Sequence, residues 1–134
     1  MTENQNRYPP DQPEEWLNRA RSNLVRAEND HPEIYLEDLC FDAQQAAEKA
    51  IKALLINLGV EFPYTHDLAE LITELERAGV NVPDKLKRAA TLTDYAVESR
   101  YPGLSEPVTE EEYKEALELA REVTLWVEDA VKNS

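Results

Sequence analysis

Asp38-Leu39-Cys40-Phe41-Asp42-Ala43-Gln44-Gln45-Ala46-Ala47-Glu48-Lys49-Ala50-Ile51-Lys52-Ala53-Leu54-Leu55 is the stretch that decides the fold. Leu39, Cys40, Ala43, Ala46, Ala47, Ala50, Ile51, Leu54, Leu55 and Leu58 recur at helical spacing and form a broad apolar stripe that has to be buried. Gln44, Glu48 and Lys52 follow one another at four-residue intervals along one edge of that stripe. They therefore share a side of the helix, where a second helix or a ligand would meet them.

The segments on either side carry the same period. Asp11 is positioned to cap a first helix, with Glu14 three residues on and Pro13 tolerated in the first turn. Trp16, Leu17, Ala20, Leu24 and Ala27 form its buried face, and Asn29-Asp30-His31-Pro32 ends it. The central helix is expected from Pro32 or Glu33 to Leu58, where Gly59 supplies a left-handed stop. After a loop at Val60-Glu61-Phe62-Pro63-Tyr64, Thr65 is expected to cap a third helix near residues 67–78, with Leu68, Leu71, Ile72 and Leu75 inward. Pro83 opens a fourth over about residues 84–98, with Leu86, Ala89, Ala90, Thr93 and Val97 inward, and Arg100-Tyr101-Pro102-Gly103 breaks it. Thr109 and Glu112 have capping-box spacing, and a last helix runs from there to about Lys132. Residues 1–10 are expected to be a disordered lead. Residues 11–134 make one domain, an all-α bundle, because no long segment has the two-residue period of a strand.

The net charge of −14 argues against a general nucleic-acid coat, which needs clustered Lys and Arg. The charge is uneven. Acids dominate residues 109–134, whereas over residues 83–108 Lys85, Lys87, Arg88 and Arg100 balance Asp84, Asp94, Glu98 and Glu106. A phosphate-bearing ligand is expected to use that second segment. No apolar run approaches the roughly 20 residues that span a membrane, and the N-terminus has no apolar signal-peptide core. With Cys40 as the single cysteine, these features predict a cytoplasmic protein without a disulfide.

The two histidines, His31 and His66, lie in different loops, and no metal-ligand spacing occurs, so no metal and no cofactor is expected. The glycines at 59, 79 and 103 punctuate helices and turns and cradle no phosphate. His66, beside Thr65 and Asp67 at a helix start, is open to two uses: a local hydrogen bond, or a ligand or proton-transfer contact. Arg100, at a helix end five residues after Tyr95, either caps the last carbonyls or presents a forked cation to a phosphate or carboxylate.

Three motifs then carry a resemblance. CFDAQQAAEKAIKALL at 40–55, PYTHDL at 63–68 and YAVESRYP at 95–102 together resemble the HEPN domain family (higher eukaryotes and prokaryotes nucleotide-binding), from about Trp16 to Val131. The resemblance implies an up-and-down bundle of four to five helices, usually a homodimer. It also implies a minimal nucleotidyltransferase as partner, in a toxin–antitoxin-type pair. In the family that the chain resembles, many members are metal-independent ribonucleases, in which an Arg and a His four to six residues later form the active site at the dimer interface and a Glu-x3-Lys pair on an earlier helix can support it. Arg100 matches the arginine, and Glu48 with Lys52 match the supporting pair. No histidine stands among Tyr101, Pro102, Gly103, Leu104, Ser105 and Glu106, and a tyrosine, with an ordinary pKa of about 10, is a poor proton carrier near neutrality.

Three functional expectations follow. In the first, the chain is a binding module for a nucleotide, a short RNA segment or a nucleotidyltransferase. Arg100, Lys52 and Lys49 would meet phosphates, Glu48 would orient the cations, and Tyr95 or Tyr101 would stack. In the second, it is a metal-independent ribonuclease that uses Arg100 and His66. In the third, it is a structural adaptor in which Arg100 is only a helix cap. The small-residue seam at Ala43, Ala46, Ala47 and Ala50 suits either a dimer contact or the core of the monomer.

Overall fold

The long apolar stripe of residues 38–55 becomes the centre of the molecule. A computed structural model describes residues 7–96 and 107–133, and among these every regular element is helical. The elements are α1 (Pro13–Ala27), α2 (Leu36–Asn57), α3 (Leu68–Arg77), α4 (Asp84–Lys87), a 3₁₀ helix (Arg88–Tyr95) and α5 (Glu110–Lys132). α2 packs chiefly against α1 and α5, and α3 and the 3₁₀ helix close a further side. Pairings such as Asn23 with Asp42 and Arg21 with Glu128 set α1 antiparallel to both α2 and α5. α2 and α5 consequently run parallel.

The alanine seam lies wholly inside the monomer. Ala43, Ala46, Ala47 and Ala50 have no exposed surface, and neither has Cys40, which forms no disulfide. Small side chains let neighbouring helices approach closely, while Leu39, Leu55, Leu71, Leu75 and Val127 fill the remaining space. Tyr113 buries its ring and donates its hydroxyl to the Ala27 carbonyl at 2.6 Å, which satisfies a carbonyl at the end of α1.

The helix ends depart from the sequence expectation in four places, each for a local reason. Gln12, not Asp11, is the N-cap of α1, and Pro13 fills the first position without any side-chain cap. α2 starts at Leu36, three or four residues later than expected. The His31 carbonyl accepts from Ile34 N, and its ring Nδ1 accepts from Glu33 N, so the chain turns there before entering the helix. Asp67 rather than Thr65 caps α3, accepting from Ala69 N, while Thr65 Oγ1 accepts from Asp67 N one step earlier. The fourth helix is α-helical only over Asp84–Lys87 and continues as 3₁₀ to Tyr95. Its buried residues, Leu86, Ala89 and Leu92, recur every third position, in keeping with the 3₁₀ repeat. Val97 and Glu98 lie outside the described residues.

Leu58, expected in the buried stripe, is 42% exposed, whereas the cap of α5 and two glycine stops are as expected. Thr109 and Glu112 make both bonds of a capping box at the start of α5. Gly59 and Gly79 have φ of 71° and 90° directly after α2 and α3, where a side chain would be strained. Before α1, Trp16 Nε1 donates to the Pro10 carbonyl and Tyr8 N donates to Glu15 Oε1, so residues 8–10 are held against that helix. No described helix is long and apolar enough to cross a membrane.

Candidate functional site

The polar edge of α2 faces inward. Gln44, Glu48 and Lys52 are all buried, and Glu48 is the centre of their network. Its Oε1 accepts from Gln44 Nε2 and is bonded to His66 Nδ1, both at 2.9 Å, and its Oε2 accepts from Lys52 Nζ at 2.9 Å. Gln44 in turn accepts from Gln45 at 2.8 Å. Burial alone pushes the Glu48 carboxyl up. The hydrogen bonds from Lys52, Gln44 and His66 and the Lys52 charge outweigh it, holding the group below the ordinary value of 4.5. Glu48 is therefore a carboxylate at neutral pH, and it accepts rather than donates toward the imidazole.

This fixes His66. With Nδ1–H donating to a carboxylate, the neutral ring keeps its lone pair on Nε2. The imidazole is about half exposed, so Nε2 is the nitrogen left for a ligand. The loop that carries His66 follows the Gly59 turn and precedes the Asp67 cap of α3, so two helix ends fix its position. Tyr64 lies in the same loop, 95% exposed, with its ring edge-on to the imidazole at 6.1 Å.

The Lys52 ammonium is enclosed by aromatic rings. Its Nζ stands 5.8 Å from the ring centres of Trp16 and Phe62 and 5.9 Å from that of Tyr64. A cation within about 6 Å of a ring is attracted to its negative face, and the Glu48 carboxylate neutralises it on the remaining side. Trp16 comes from α1, Phe62 and Tyr64 from the loop, so one buried charge holds three segments together. Sequence reasoning missed this enclosure, because nothing local joins the three aromatics. Phe62 and Tyr64 stand two residues apart around Pro63, spacing that sends both side chains to one side of an extended segment, and this is the available signal.

Lys49 sits on a different side of α2, toward α1. Its Nζ donates to Asn23 Oδ1 at 2.8 Å, and Asn23 Nδ2 donates to Asp42 Oδ1 at 3.1 Å. Arg26 Nε lies 3.4 Å from the other oxygen of Asp42. Burial lowers Lys49 from its ordinary 10.5, and burial raises Asp42 from 3.8. Of the sequence-predicted site residues, the fold thus brings Glu48, Lys52 and His66 together and puts Lys49 in a separate cluster. Tyr95 ends the 3₁₀ helix, half-buried against the core. Arg100 and Tyr101 lie outside the described residues. Among the described residues no three His, Cys, Asp or Glu side chains form a group suited to a metal ion.

What this arrangement can do chemically is limited and specific. It presents an oriented imidazole nitrogen beside an exposed phenol ring, backed by a buried ion pair that fixes the loop. Such a surface stacks a flat ring and hydrogen-bonds to it or to an attached group.

Comparison with known proteins bears on the same region. Residues 13–130 match the HEPN domain. Two solved structures are similar over nearly their whole length. TT1696 from Thermus thermophilus is 34% identical with a TM-score of 0.74, and the match covers 89% of this chain and 98% of that one. ST0689, an archaeal HEPN homologue, is 30% identical with a TM-score of 0.72, covering 90% and 98%. A search of curated proteins gave no match.

Proposed function

We propose, because the chain belongs to the HEPN domain family, that it is a helical binding module for a nucleotide, with its ligand surface at His66 and Tyr64. The observation that carries this reading is the buried Glu48 carboxylate bonded to His66 Nδ1, which leaves Nε2 for the ligand beside the exposed Tyr64 ring. In this reading the base stacks on Tyr64, His66 hydrogen-bonds to the base or phosphate, and Arg100 supplies the forked cation. Lys52 acts indirectly, because its charge is already matched by Glu48. The family resemblance supports self-association and a minimal nucleotidyltransferase as protein partner, in a toxin–antitoxin-type pair. Calorimetry with a panel of nucleoside mono-, di- and triphosphates tests the ligand. Binding without turnover, lost in His66→Ala and Tyr64→Ala, is the expected result. Pull-down with a neighbouring nucleotidyltransferase tests the partner. Blank results in both remove the reading.

The Glu48–His66 pair also favours a second reading, a metal-independent ribonuclease. A carboxylate that fixes an imidazole tautomer and orients the ring is the arrangement a proton acceptor needs. Here His66 Nε2 would take the proton of an RNA 2′-hydroxyl, and Arg100 would meet the phosphate. RNA cleavage in EDTA that disappears in both His66→Ala and Arg100→Ala is expected on this reading; cleavage that survives both changes excludes the site.

A further inference from the structure

A cavity of about 410 Å³ opens where the end of α1 meets the first turns of α2. It shares no residue with the Glu48 network. Its volume lies in the range of small-molecule sites, about 300–1,000 Å³. Ile34, from the turn between the two helices, joins Leu39 and Phe41 of α2 in an apolar wall. The polar lining is Arg26 and Asn29 from the α1 side, with Asp38 and Asp42 one helical turn apart on one face of α2. With both acids ionised, the lining is one cation short of balance.

Asp42 is the unusual member. It is 5% exposed, yet its charge is incompletely matched. Oδ1 accepts from Asn23 Nδ2 at 3.1 Å, but Oδ2 faces Arg26 Nε at 3.4 Å. That is longer than the about 2.7–2.9 Å of a charge-assisted hydrogen bond. Arg26 is itself mostly in water, where its attraction is screened. Burial and the neighbouring Asp38 charge therefore outweigh Asn23, Arg26 and Lys49, and the ionised carboxylate stays disfavoured. A further cation in the cavity, beside Asp38 and Asp42, would offset both costs.

We propose that this cavity binds a primary ammonium group carried on a short aliphatic chain, as in an alkylamine or an apolar amino acid. The ammonium donates to the Asp42 and Asp38 carboxylates, and its third N–H faces water. The aliphatic part lies on Ile34, Leu39 and Phe41 and loses its own water there. The protein's net charge of −14 raises the concentration of cations around it. Arg26 and Asn29 border the same cavity and would meet a carboxylate on a ligand that carries one. The site is independent of the His66 surface and of the nucleotide reading.

Calorimetry and proton–nitrogen correlation spectra with 3-methylbutylamine and with leucine test the site, at neutral pH and constant ionic strength. Ammonium chloride is the control for charge alone. The amine is expected to bind with a dissociation constant in the millimolar range and to shift backbone signals of residues 26–42 while those of Tyr64 and His66 stay in place. Asp42→Asn keeps an oxygen for Asn23, so the fold is expected to hold while affinity falls about tenfold or more. Asp38 is exposed, so Asp38→Asn, expected to weaken binding several-fold, keeps the test open should Asp42→Asn unfold. Leucine binding more tightly than the amine identifies an amino acid as the ligand, and Arg26→Gln is then expected to remove the advantage. Equal or weaker binding of leucine identifies the free amine. No binding of either, binding that both variants leave unchanged, or an equal response to ammonium chloride overturns the proposal.

Discussion

Glu48 and His66, 18 residues apart in the chain, share a 2.9 Å hydrogen bond that joins the middle of α2 to the loop before α3. The bond ties the chemistry of an exposed ring to a charge buried in the core. The buried charge is in turn matched by Lys52. A change at either of the interior residues is therefore expected to be felt at His66.

The tautomer is the first measurable consequence. In the wild type the neutral His66 ring is expected to carry its proton on Nδ1, giving a Nε2 nitrogen shift typical of an unprotonated ring nitrogen. Glu48→Gln removes the carboxylate, and the ring is expected to become a mixture of the two tautomers. Nitrogen-15 spectra of a His31→Gln background, in which His66 is the remaining histidine, check it. An unprotonated Nδ1 in the wild type would contradict the assignment.

Stability responds to the same pair. Glu48→Gln leaves the Lys52 ammonium buried without a counter-charge, and breaking a buried pair from one side costs about 3–5 kcal/mol. Lys52→Met alone strands the carboxylate and is expected to cost a similar amount. Glu48→Gln with Lys52→Met is expected to recover most of the loss, because both charges are gone and the methionine still packs on Trp16 and Phe62. Urea denaturation of the four proteins closes this cycle.

How much of this is legible in the sequence depends on the kind of interaction. The stripe from Leu39 to Leu55 and the Thr109–Glu112 box are readable because they are local periodicities, and the structure contains both. The Glu48–Lys52 contact is readable as an i,i+4 pair, yet its burial is not. Whether that edge of α2 faces water depends on Trp16 and on the loop of Phe62 and Tyr64, which only the tertiary fold brings together. The 3₁₀ segment escapes detection because Leu86, Ala89 and Leu92 also fit one face of an α-helix over so short a run. Spacings of three and three do not separate 3.0 from 3.6 residues per turn. The ties of His66 and Lys49 to Glu48 and Asn23 span 18 and 26 residues and leave no local trace.

The acid limb of stability has a definite sign. Glu48 titrates in the fold below its ordinary 4.5, so its contribution is fully present above 4.5 and is lost as pH falls through the folded value. Asp42 is raised by burial, despite the hydrogen bond from Asn23 and the Arg26 and Lys49 charges. Its ionised form is disfavoured in the fold, so its contribution to stability grows as pH falls through its folded value toward 3.8. Glu48→Gln is therefore expected to flatten the fall in stability between about pH 5 and pH 2, and Asp42→Asn to steepen it. Urea midpoints across that range check both; a steeper limb in Glu48→Gln would contradict the assignment of its shift.

The cap of α5 gives a test independent of the site. Thr109 Oγ1 accepts from Glu112 N at 3.1 Å, and Glu112 Oε1 accepts from Thr109 N at 2.9 Å. Thr109→Ala removes the first bond and is expected to cost about 1 kcal/mol, with Thr109→Ser close to the wild type. α5 packs on α2 and buries Leu119, Ala120, Val123 and Val127, all well past its first turn, so a frayed first turn leaves those residues in place. The loss is expected to appear in global unfolding, with no effect on the Glu48–His66 hydrogen bond. That separation matters, because the Val108 backbone N–H just before the cap donates to Glu37 Oε2 at 2.7 Å and anchors the start of α5 to α2. Glu37→Gln keeps an acceptor there and is expected to cost less than Glu37→Ala. The order Glu37→Ala, Glu37→Gln, wild type in rising melting temperature would show that the junction is held by this hydrogen bond, and equal melting temperatures would show that it is not.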